Sequence, residues 1–193
     1  MNEQDCKKLA ELLFPDVDKT PDYYEEKYPY RKLPNKAEVT RLGPSPTGFI
    51  HLGNLYSALA DERIAHKNGG VFYLRIEDTD QEREVEGAVD MIYKVMDQTG
   101  LGYDEGPNKP GEVGPYVQSE RLAIYKEYAD KLVELGGAHY CFCDEETINK
   151  AKEESDNEEL GYIDPCKHLS LEEAKQRKIC CKTNNSKYWN YFF

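Results

Sequence analysis

The sequence lacks the features of a membrane or secreted protein. It contains no apolar run of about 18 residues, which a membrane-spanning helix needs. Its first residues, Met1-Asn2-Glu3-Gln4-Asp5, have neither the basic start nor the apolar stretch of a signal peptide. We therefore expect a cytoplasmic protein without a membrane partner. In that reducing compartment, closely spaced pairs among the six cysteines are interpreted as metal ligands before disulfides.

Basic residues are also in the minority. The chain has 25 Lys and Arg against 37 Asp and Glu, for a net charge of −12. This balance excludes a uniformly basic nucleic-acid sleeve, although a local basic face can still contact phosphates. With 193 residues, of which 39% are hydrophobic and 32% charged, the chain is expected to fold as one ordinary domain with at most a modest insertion. We find no internal repeats.

Hydrophobic patterning predicts alternating strands and helices from residue 39 onward. Residues 39–42 form a short strand candidate, and the following loop, 43–48, contains two prolines and two glycines that exclude a helix. Residues 71–76 form a continuous, mostly apolar run that suits a buried parallel strand. The order strand, helix, strand, helix over residues 39–98 predicts an α/β fold with a Rossmann-like, doubly wound parallel sheet.

Three amphipathic helices are predicted around these strands. The first begins at the loop and ends at Gly69-Gly70. The second follows the capping-box pattern Thr79-Asp80-Gln81-Glu82, and the third extends from Ser119 to Gly136-Gly137. Their apolar stripes consist of Leu52, Leu55, Tyr56, Leu59, Ala60 and Ile64 in the first, of Val85, Ala88, Val89, Ile92, Val95 and Met96 in the second, and of Leu122, Ile124, Tyr125, Tyr128, Ala129, Leu132 and Val133 in the third.

The turn into the first helix is the most informative segment for function. A strand-to-helix turn at the edge of a parallel sheet is a common phosphate site. Gly53 would let a nucleotide approach the backbone there, and the helix start and the His51 imidazole would stabilise charge on a phosphate during adenylate transfer. From these residues alone, however, an ordinary capped helix is the more frequent explanation of such a pattern.

Three sequence signatures carry a resemblance to a known family. The string from Arg41 to Asn54 resembles the first signature of bacterial-type glutamyl-tRNA synthetases, which are class I enzymes, and His51-Leu52-Gly53-Asn54 resembles their HIGH motif. Residues 73–80 and 116–121 resemble two further signatures in the order and approximate spacing of that family. The loop Pro44-Ser45-Pro46-Thr47-Gly48 stands where glutaminyl relatives carry Pro-Glu-Pro-Asn-Gly, which favours glutamate. The resemblance covers about residues 39–175.

The resemblance implies activation of glutamate with Mg²⁺-bound ATP, followed by transfer of the glutamyl group to tRNA(Glu). By the same resemblance, Arg41 would pair with a carboxylate of glutamate, Ser45 would hydrogen-bond to it, and Glu77 would receive the α-ammonium group. From the residues alone, solvated surface charge is the more frequent explanation of Arg41 and Glu77, and Asp78, Thr79 and Asp80 are better explained as helix caps. The implied site consists of His51, Gly53 and Asn54 for catalysis, of Arg41, Gly43, Ser45 and Glu77 for glutamate, and of Pro46, Thr47, Gly48, His51 and Gly53 for ATP.

A second candidate site consists of two short Cys/His pairs. These are Cys141-Phe142-Cys143 and Cys166-Lys167-His168, and such soft ligands suit a structural zinc ion. Buried, inert thiols explain the cysteines equally well from chemistry alone. The family resemblance favours zinc, since some bacterial glutamyl-tRNA synthetases carry a similar site in the insertion that contacts the tRNA acceptor end. There the fourth ligand is a histidine or a tyrosine, which implies His168 or, as the alternative, Tyr162.

Four segments are predicted along the chain. They are an N-terminal extension at 1–38 that wraps a surface, the first half of a catalytic domain at 39–138, an incomplete acceptor-end and zinc-binding insertion at 139–178, and a tail at 179–193 that fits neither the family nor a helix or strand pattern. Because the family's KMSKS loop and anticodon-binding region have no counterpart, we expect the chain alone to be unable to charge tRNA. A glutamyl-Q tRNA(Asp) synthetase fragment, or a non-catalytic module that binds nucleotide, zinc or tRNA, is the alternative.

Overall fold

The computed structural model describes residues 1–153, 166, 168–183 and 190–192. The helices are α1 (Glu3–Leu13), α2 (Pro21–Lys27), α3 (Leu52–Lys67), α4 (Ala88–Thr99), α5 (Leu122–Glu134), α6 (Glu145–Glu153) and α7 (Leu171–Thr183), and the strands are β1 (Val39–Leu42), β2 (Val71–Leu74), β3 (His139–Cys141) and β4 (Asn190–Phe192). Two short 3₁₀ turns cover Gln81–Arg83 and Ser119–Arg121. In the described ranges no helix is long and apolar enough to cross a membrane.

The chain folds as two compact units. The terminal unit combines Met1–Pro21 with Tyr125–Phe193, and the central unit is Asp22–Ile124. This grouping divides the predicted N-terminal extension between the two units. The four segments predicted from the sequence remain a prediction as functional domains.

The central unit is built on a parallel pair of strands. β1 and β2 pair in the register Val39↔Val71 to Leu42↔Leu74, and α3 connects them. Isolated parallel bridges, Tyr73↔Glu105 and Ile76↔Val117, add two further chain segments beside this pair. The predicted α/β class, a parallel sheet with helices, is therefore confirmed. The buried residues of the central core are Leu42, Ala58, Ala65, Phe72, Leu74, Ile76, Ile92, Met96 and Leu101.

The sequence predicted α3 correctly but not the face that it buries. Most of the predicted stripe is exposed: the exposed fraction is 81% for Leu52 and 75% for Tyr56. The buried residues of α3 are instead Ala58, Glu62 and Ala65. Alanines let the helix axis approach the sheet closely, and this contact decides the orientation, whereas the periodicity only shows that the helix has an apolar side.

The predicted capping box at Thr79 is wrong. A 3₁₀ turn without a side-chain capping bond follows Asp80, and α4 begins only at Ala88, after Gly87 in the left-handed region at φ 79°. Val85 therefore precedes the helix, and its amide donates to the Pro46 carbonyl at 2.8 Å. This contact with the loop after β1 is long-range, so the local pattern could not reveal it.

One residue of the N-terminal extension, Arg31, contacts two residues of the central unit far from it in sequence. The Arg31 guanidinium forms an ion pair with Glu105, and Arg31 lies over the Tyr73 ring, 5.8 Å from its centroid. The Tyr116 hydroxyl donates to Glu105 Oε2 at 2.6 Å, and burial together with this bond raises the pKa of Tyr116 to about 12. Residues 22–38 thus contribute one member of a mostly buried charge pair, Arg31, and do not only cover a surface.

The terminal unit has a separate helical core. Helix α1 contacts α7, and β3 pairs antiparallel with β4. Its buried residues are Leu9, Ala10, Leu13, Phe14, Val133, Leu171 and Ala174. The expectation that residues 179–193 contain neither helix nor strand is wrong, because α7 continues to Thr183 and β4 lies within that segment. No proline or glycine interrupts residues 171–183, so a helix that has begun there can propagate.

Candidate functional site

The His51 side chain is fixed by the start of α3. Its Nδ1 accepts a hydrogen bond from the Gly53 amide at 3.2 Å, and the Asn54 side chain accepts one from the His51 amide at 3.1 Å. This reciprocal pair is a capping box. Because Nδ1 is the acceptor, the neutral ring carries its proton on Nε2, where it can act as a donor. A capped helix and a phosphate site are therefore compatible here.

The lack of a side chain at Gly53 leaves space for the His51 ring. A Cβ atom at Gly53 would lie 3.1 Å from both His51 Nδ1 and His51 Cε1. That distance is shorter than an ordinary contact between carbon atoms, which is about 3.5–4.0 Å. The predicted catalytic residues His51, Gly53 and Asn54 thus form one local structure at a helix N-terminus.

The loop after β1 is held against the chain that follows β2. The Arg75 amide donates to the Leu42 carbonyl at 3.0 Å, and the Glu77 amide donates to the Pro44 carbonyl at 2.9 Å. Pro44 and Pro46 are buried, whereas Ser45 between them is exposed. The prolines therefore anchor the loop, and the serine hydroxyl remains accessible.

Two cations share one carboxylate oxygen at this position. Arg41 Nη1 lies 2.7 Å from Glu77 Oε1, and Arg75 Nη2 lies 3.0 Å from the same oxygen. A Cβ atom at Gly43 would lie only 2.5 Å from it. Burial raises the pKa of the Asp61 carboxyl, while the positive charge of Arg41 opposes that shift. Arg41 and Glu77, which were predicted to bind different groups of glutamate, thus form an ion pair with each other.

The third signature joins the second through main-chain bonds and one carboxylate. The Ile76 amide donates to the Tyr116 carbonyl at 3.0 Å, and the Gln118 amide donates to the Ile76 carbonyl at 2.8 Å. Asp78 accepts from the Ser119 amide at 2.8 Å and from the Ser119 hydroxyl at 2.5 Å. Asp78 is therefore a cap, but for a turn far away in sequence.

Sequence reasoning did not assign a role to Arg75. Its side chain is only 17% exposed, although it follows an apolar strand. The available signal was a charged residue inside the run 71–76, which was otherwise expected to be a buried strand. Such a residue needs a partner, and the structure provides Glu77.

Three of the predicted metal ligands lie together in the terminal unit. The sulfur atoms of Cys141, Cys143 and Cys166 all lie within 4.8 Å of one another, and those of Cys143 and Cys166 are 3.5 Å apart. Burial, followed by the neighbouring Cys166 thiol, raises the pKa of Cys143 to about 12. His168 is exposed and is not part of this group, and Tyr162 lies outside the described residues.

Comparison with known proteins connects this geometry to a family. A family model described as tRNA synthetases class I (E and Q), catalytic domain, matches residues 38–184. The glutamate–tRNA ligase of Acetivibrio thermocellus is 49% identical in an alignment 181 residues long that covers 89% of this chain and 33% of that protein. The glutamate–tRNA ligase of Clostridium novyi is 56% identical over 137 residues, 71% of this chain and 28% of that protein.

A solved structure has a similar fold. It is the crystal structure of a glutamate tRNA ligase from Elizabethkingia meningosepticum in complex with its amino acid, with a TM-score of 0.56 and 40% identity. The match covers 62% of this chain and 24% of that one. The chain thus spans about a third of the length of the curated relatives that it matches.

Proposed function

This chain belongs to the family of tRNA synthetases class I (E and Q), catalytic domain, and from that premise we propose that it supplies the first half of a site for ATP-dependent activation of glutamate. The observation that supports this proposal best is the arrangement of Arg41, Glu77 and Gly43 beside a loop that leads directly to the His51 cap. The complete site would form glutamyl-adenylate and transfer the glutamyl group to tRNA(Glu), in the cytoplasm.

The charges of the central unit support the proposed recognition of glutamate. The bond from Arg41 to Glu77 uses Nη1, and the guanidinium has further N–H groups that can pair with a substrate carboxylate. The exposed Ser45 hydroxyl can donate a hydrogen bond to the same carboxylate. Glu77 uses Oε1 for both arginines, which leaves Oε2 to accept from an α-ammonium group.

Binding of ATP is assigned to the loop and the start of α3. A helix N-terminus offers amide donors and a positive dipole end to phosphates, and the absence of a Cβ at Gly48 and Gly53 lets them approach the main chain. Pro46 and Thr47 complete this part of the predicted site. We assign its frame to the first half of a Rossmann-like, doubly wound sheet.

The reaction needs positioning more than covalent catalysis. The α-carboxylate of glutamate attacks the α-phosphorus of ATP, the bond to the β-phosphate oxygen breaks, and pyrophosphate leaves with the electron pair. The Nε2–H group of His51 would donate to the phosphate oxygens as their negative charge grows. Mg²⁺ that arrives with ATP would neutralise charge on the phosphates.

We assign the three-thiol group of the terminal unit to a structural zinc ion. Three sulfur atoms within 4.8 Å of one another match the donor type and crowding of such a site. His168 or Tyr162 would supply the fourth ligand. The Arg177 guanidinium lies 3.4 Å from Cys166 Sγ, and a bound metal would require the cysteines as thiolates.

A chimera tests the proposed function. Residues 38–184 replace the corresponding segment of the Acetivibrio thermocellus ligase, and glutamate-dependent ATP–pyrophosphate exchange is measured with tRNA present. Exchange by the chimera, lost on omission of glutamate, supports the proposal. A folded chimera that binds ATP without exchange would contradict it and favour the non-catalytic binding module. Exchange that responds only to tRNA(Asp) would favour the glutamyl-Q alternative.

A further inference from the structure

Three residues surround the Glu77 carboxylate, and the two that are cations differ in how exposed they are to solvent. Arg41 reaches Oε1 from β1, and its side chain is 38% exposed. Arg75 reaches the same oxygen from the chain after β2, and its side chain is 17% exposed. Gly43 forms the third side, where even a methyl group would meet the carboxylate. Of the two cations, Arg41 is therefore the one with access to solvent and to a substrate.

The hydrogen bond from Arg75 to Glu77 is costly to break. The Arg75 Nε atom is buried and has no hydrogen-bond partner in the described part of the chain, and the described side-chain bond of Arg75 is the one to Glu77. Moving a partly buried guanidinium away from its carboxylate would leave both charges poorly compensated, which is costly. The Arg75–Glu77 pair is therefore the more persistent of the two ion pairs.

We propose that Arg75 is a positioning residue, which holds the Glu77 carboxylate in the site when Arg41 turns to the substrate. Without Arg75, a bound carboxylate would compete with Glu77 for Arg41, and Glu77 would then keep neither of the two cations that the structure places beside it. With Arg75 in place, Oε1 stays anchored and Oε2 remains directed to an incoming ammonium group. The inference about the substrate rests on the proposed function, whereas the anchoring of Glu77 does not.

The anchoring is tested in the 193-residue chain. Arg75→Met removes the donor and the charge, Arg75→Lys keeps the charge, and Arg83→Met is the matched control because Arg83 pairs with Asp80 on an exposed turn. The ¹³C resonance of the Glu77 carboxylate, identified by its loss in Glu77→Gln, should shift strongly in Arg75→Met, less in Arg75→Lys and not in Arg83→Met. An unchanged resonance in both Arg75 variants would overturn the proposal, and Arg75→Lys decides if Arg75→Met does not fold.

The consequence for the substrate is tested in the active chimera. Arg75→Met should raise the KM for glutamate about tenfold and leave the KM for ATP within about twofold, because a misplaced carboxylate affects the ammonium group alone. Equal changes in both KM values, or none, would contradict the substrate role. If the unsubstituted chimera is inactive, the proposed function fails, and the carboxylate resonance still decides whether Arg75 positions Glu77.

Discussion

Gly70, just before β2, lies so close to the main chain of Glu38 and Ala65 that there is no space for a Cβ atom. A Cβ atom there would lie 2.0 Å from the Glu38 carbonyl oxygen and 2.9 Å from the Ala65 carbonyl oxygen. Both obstacles are backbone atoms, so no side-chain rotation relieves them. Alanine at position 70 therefore requires residues 38 and 70 to separate by more than about 1 Å to restore a normal contact.

That separation strains two hydrogen bonds, and we expect one of them to break. The Val71 amide donates to Glu38 at 3.1 Å, and the Gly70 amide donates to Ala65 at 2.8 Å. Losing one such bond costs about 1 kcal/mol, and overpacking adds about 1–3 kcal/mol. The smaller conformational entropy of alanine in the unfolded chain offsets about 0.4–1 kcal/mol. We expect Gly70→Ala to lower the free energy of unfolding by about 2–3 kcal/mol.

Urea unfolding followed by circular dichroism measures this change, with Gly102→Ala as the control because nothing lies within 4 Å of its added Cβ. For a slope of about 2 kcal/mol per molar urea, the midpoint should fall by about 1–1.5 M in Gly70→Ala and should not fall in the control. Amide exchange at Leu74 reports on the central sheet, since its amide bonds to Glu105. A midpoint within about 0.3 M of wild type, with Leu74 still protected, would refute the close approach.

Three further outcomes are expected. His51→Asn should keep the cap of α3 but lose adenylate formation in the chimera. His51→Ala should lose both activity and about 1 kcal/mol of stability, because alanine cannot cap the helix. Equal exchange rates in wild type and His51→Asn would remove the imidazole from the mechanism. The His66 ring donates hydrogen bonds to the carboxylates of Asp104 and Glu62, and these bonds raise the pKa of His66 against an opposing effect of burial. The stabilisation by His66 is therefore complete below about pH 6.5 and is lost as pH rises through the raised value. The stability difference between wild type and His66→Gln should therefore be larger at pH 5.5 than at pH 8.5, though below about 1 kcal/mol because the ring is partly exposed; a difference that grows with pH would contradict this assignment. Cys143→Ser should abolish the binding of one zinc ion per chain, measured by metal analysis of reduced protein, and zinc-free wild-type protein would remove the site.

The sequence predicted what local spacing controls. Residues 39–42 form the expected strand, and α3 begins directly after His51 and ends before Gly69-Gly70. The two cysteine-containing motifs bring three sulfur atoms together, although their role as ligands stays a prediction. The strand and the helix ends depend on neighbours within a few residues. The cysteine motifs could be predicted to meet because a shared metal ion would require their sulfur atoms to lie close together.

Long-range contacts decided what the sequence could not predict. Apolar periodicity could not select the face of α3, since the alanine face packs on the sheet and the larger side chains remain exposed. The capping box failed because Val85 bonds to Pro46, across the central unit. The pairing of Arg31 with Glu105 and of Arg75 with Glu77 also depends on tertiary structure, because an arginine pattern does not specify its partner.

Sheet register and site geometry are controlled together in the central unit. The same alignment that pairs Arg41 with Tyr73 brings the Leu42 carbonyl to the Arg75 amide and the Pro44 carbonyl to the Glu77 amide. A shift of one residue would turn alternate side chains to the opposite face and separate Arg41 from Glu77. Even a displacement of about 1 Å at a reacting group can reduce a rate about a hundredfold. In the chimera, Gly70→Ala should therefore reduce glutamate activation by far more than the unfolded fraction explains, even though Gly70 belongs to the opposite end of the strand pair.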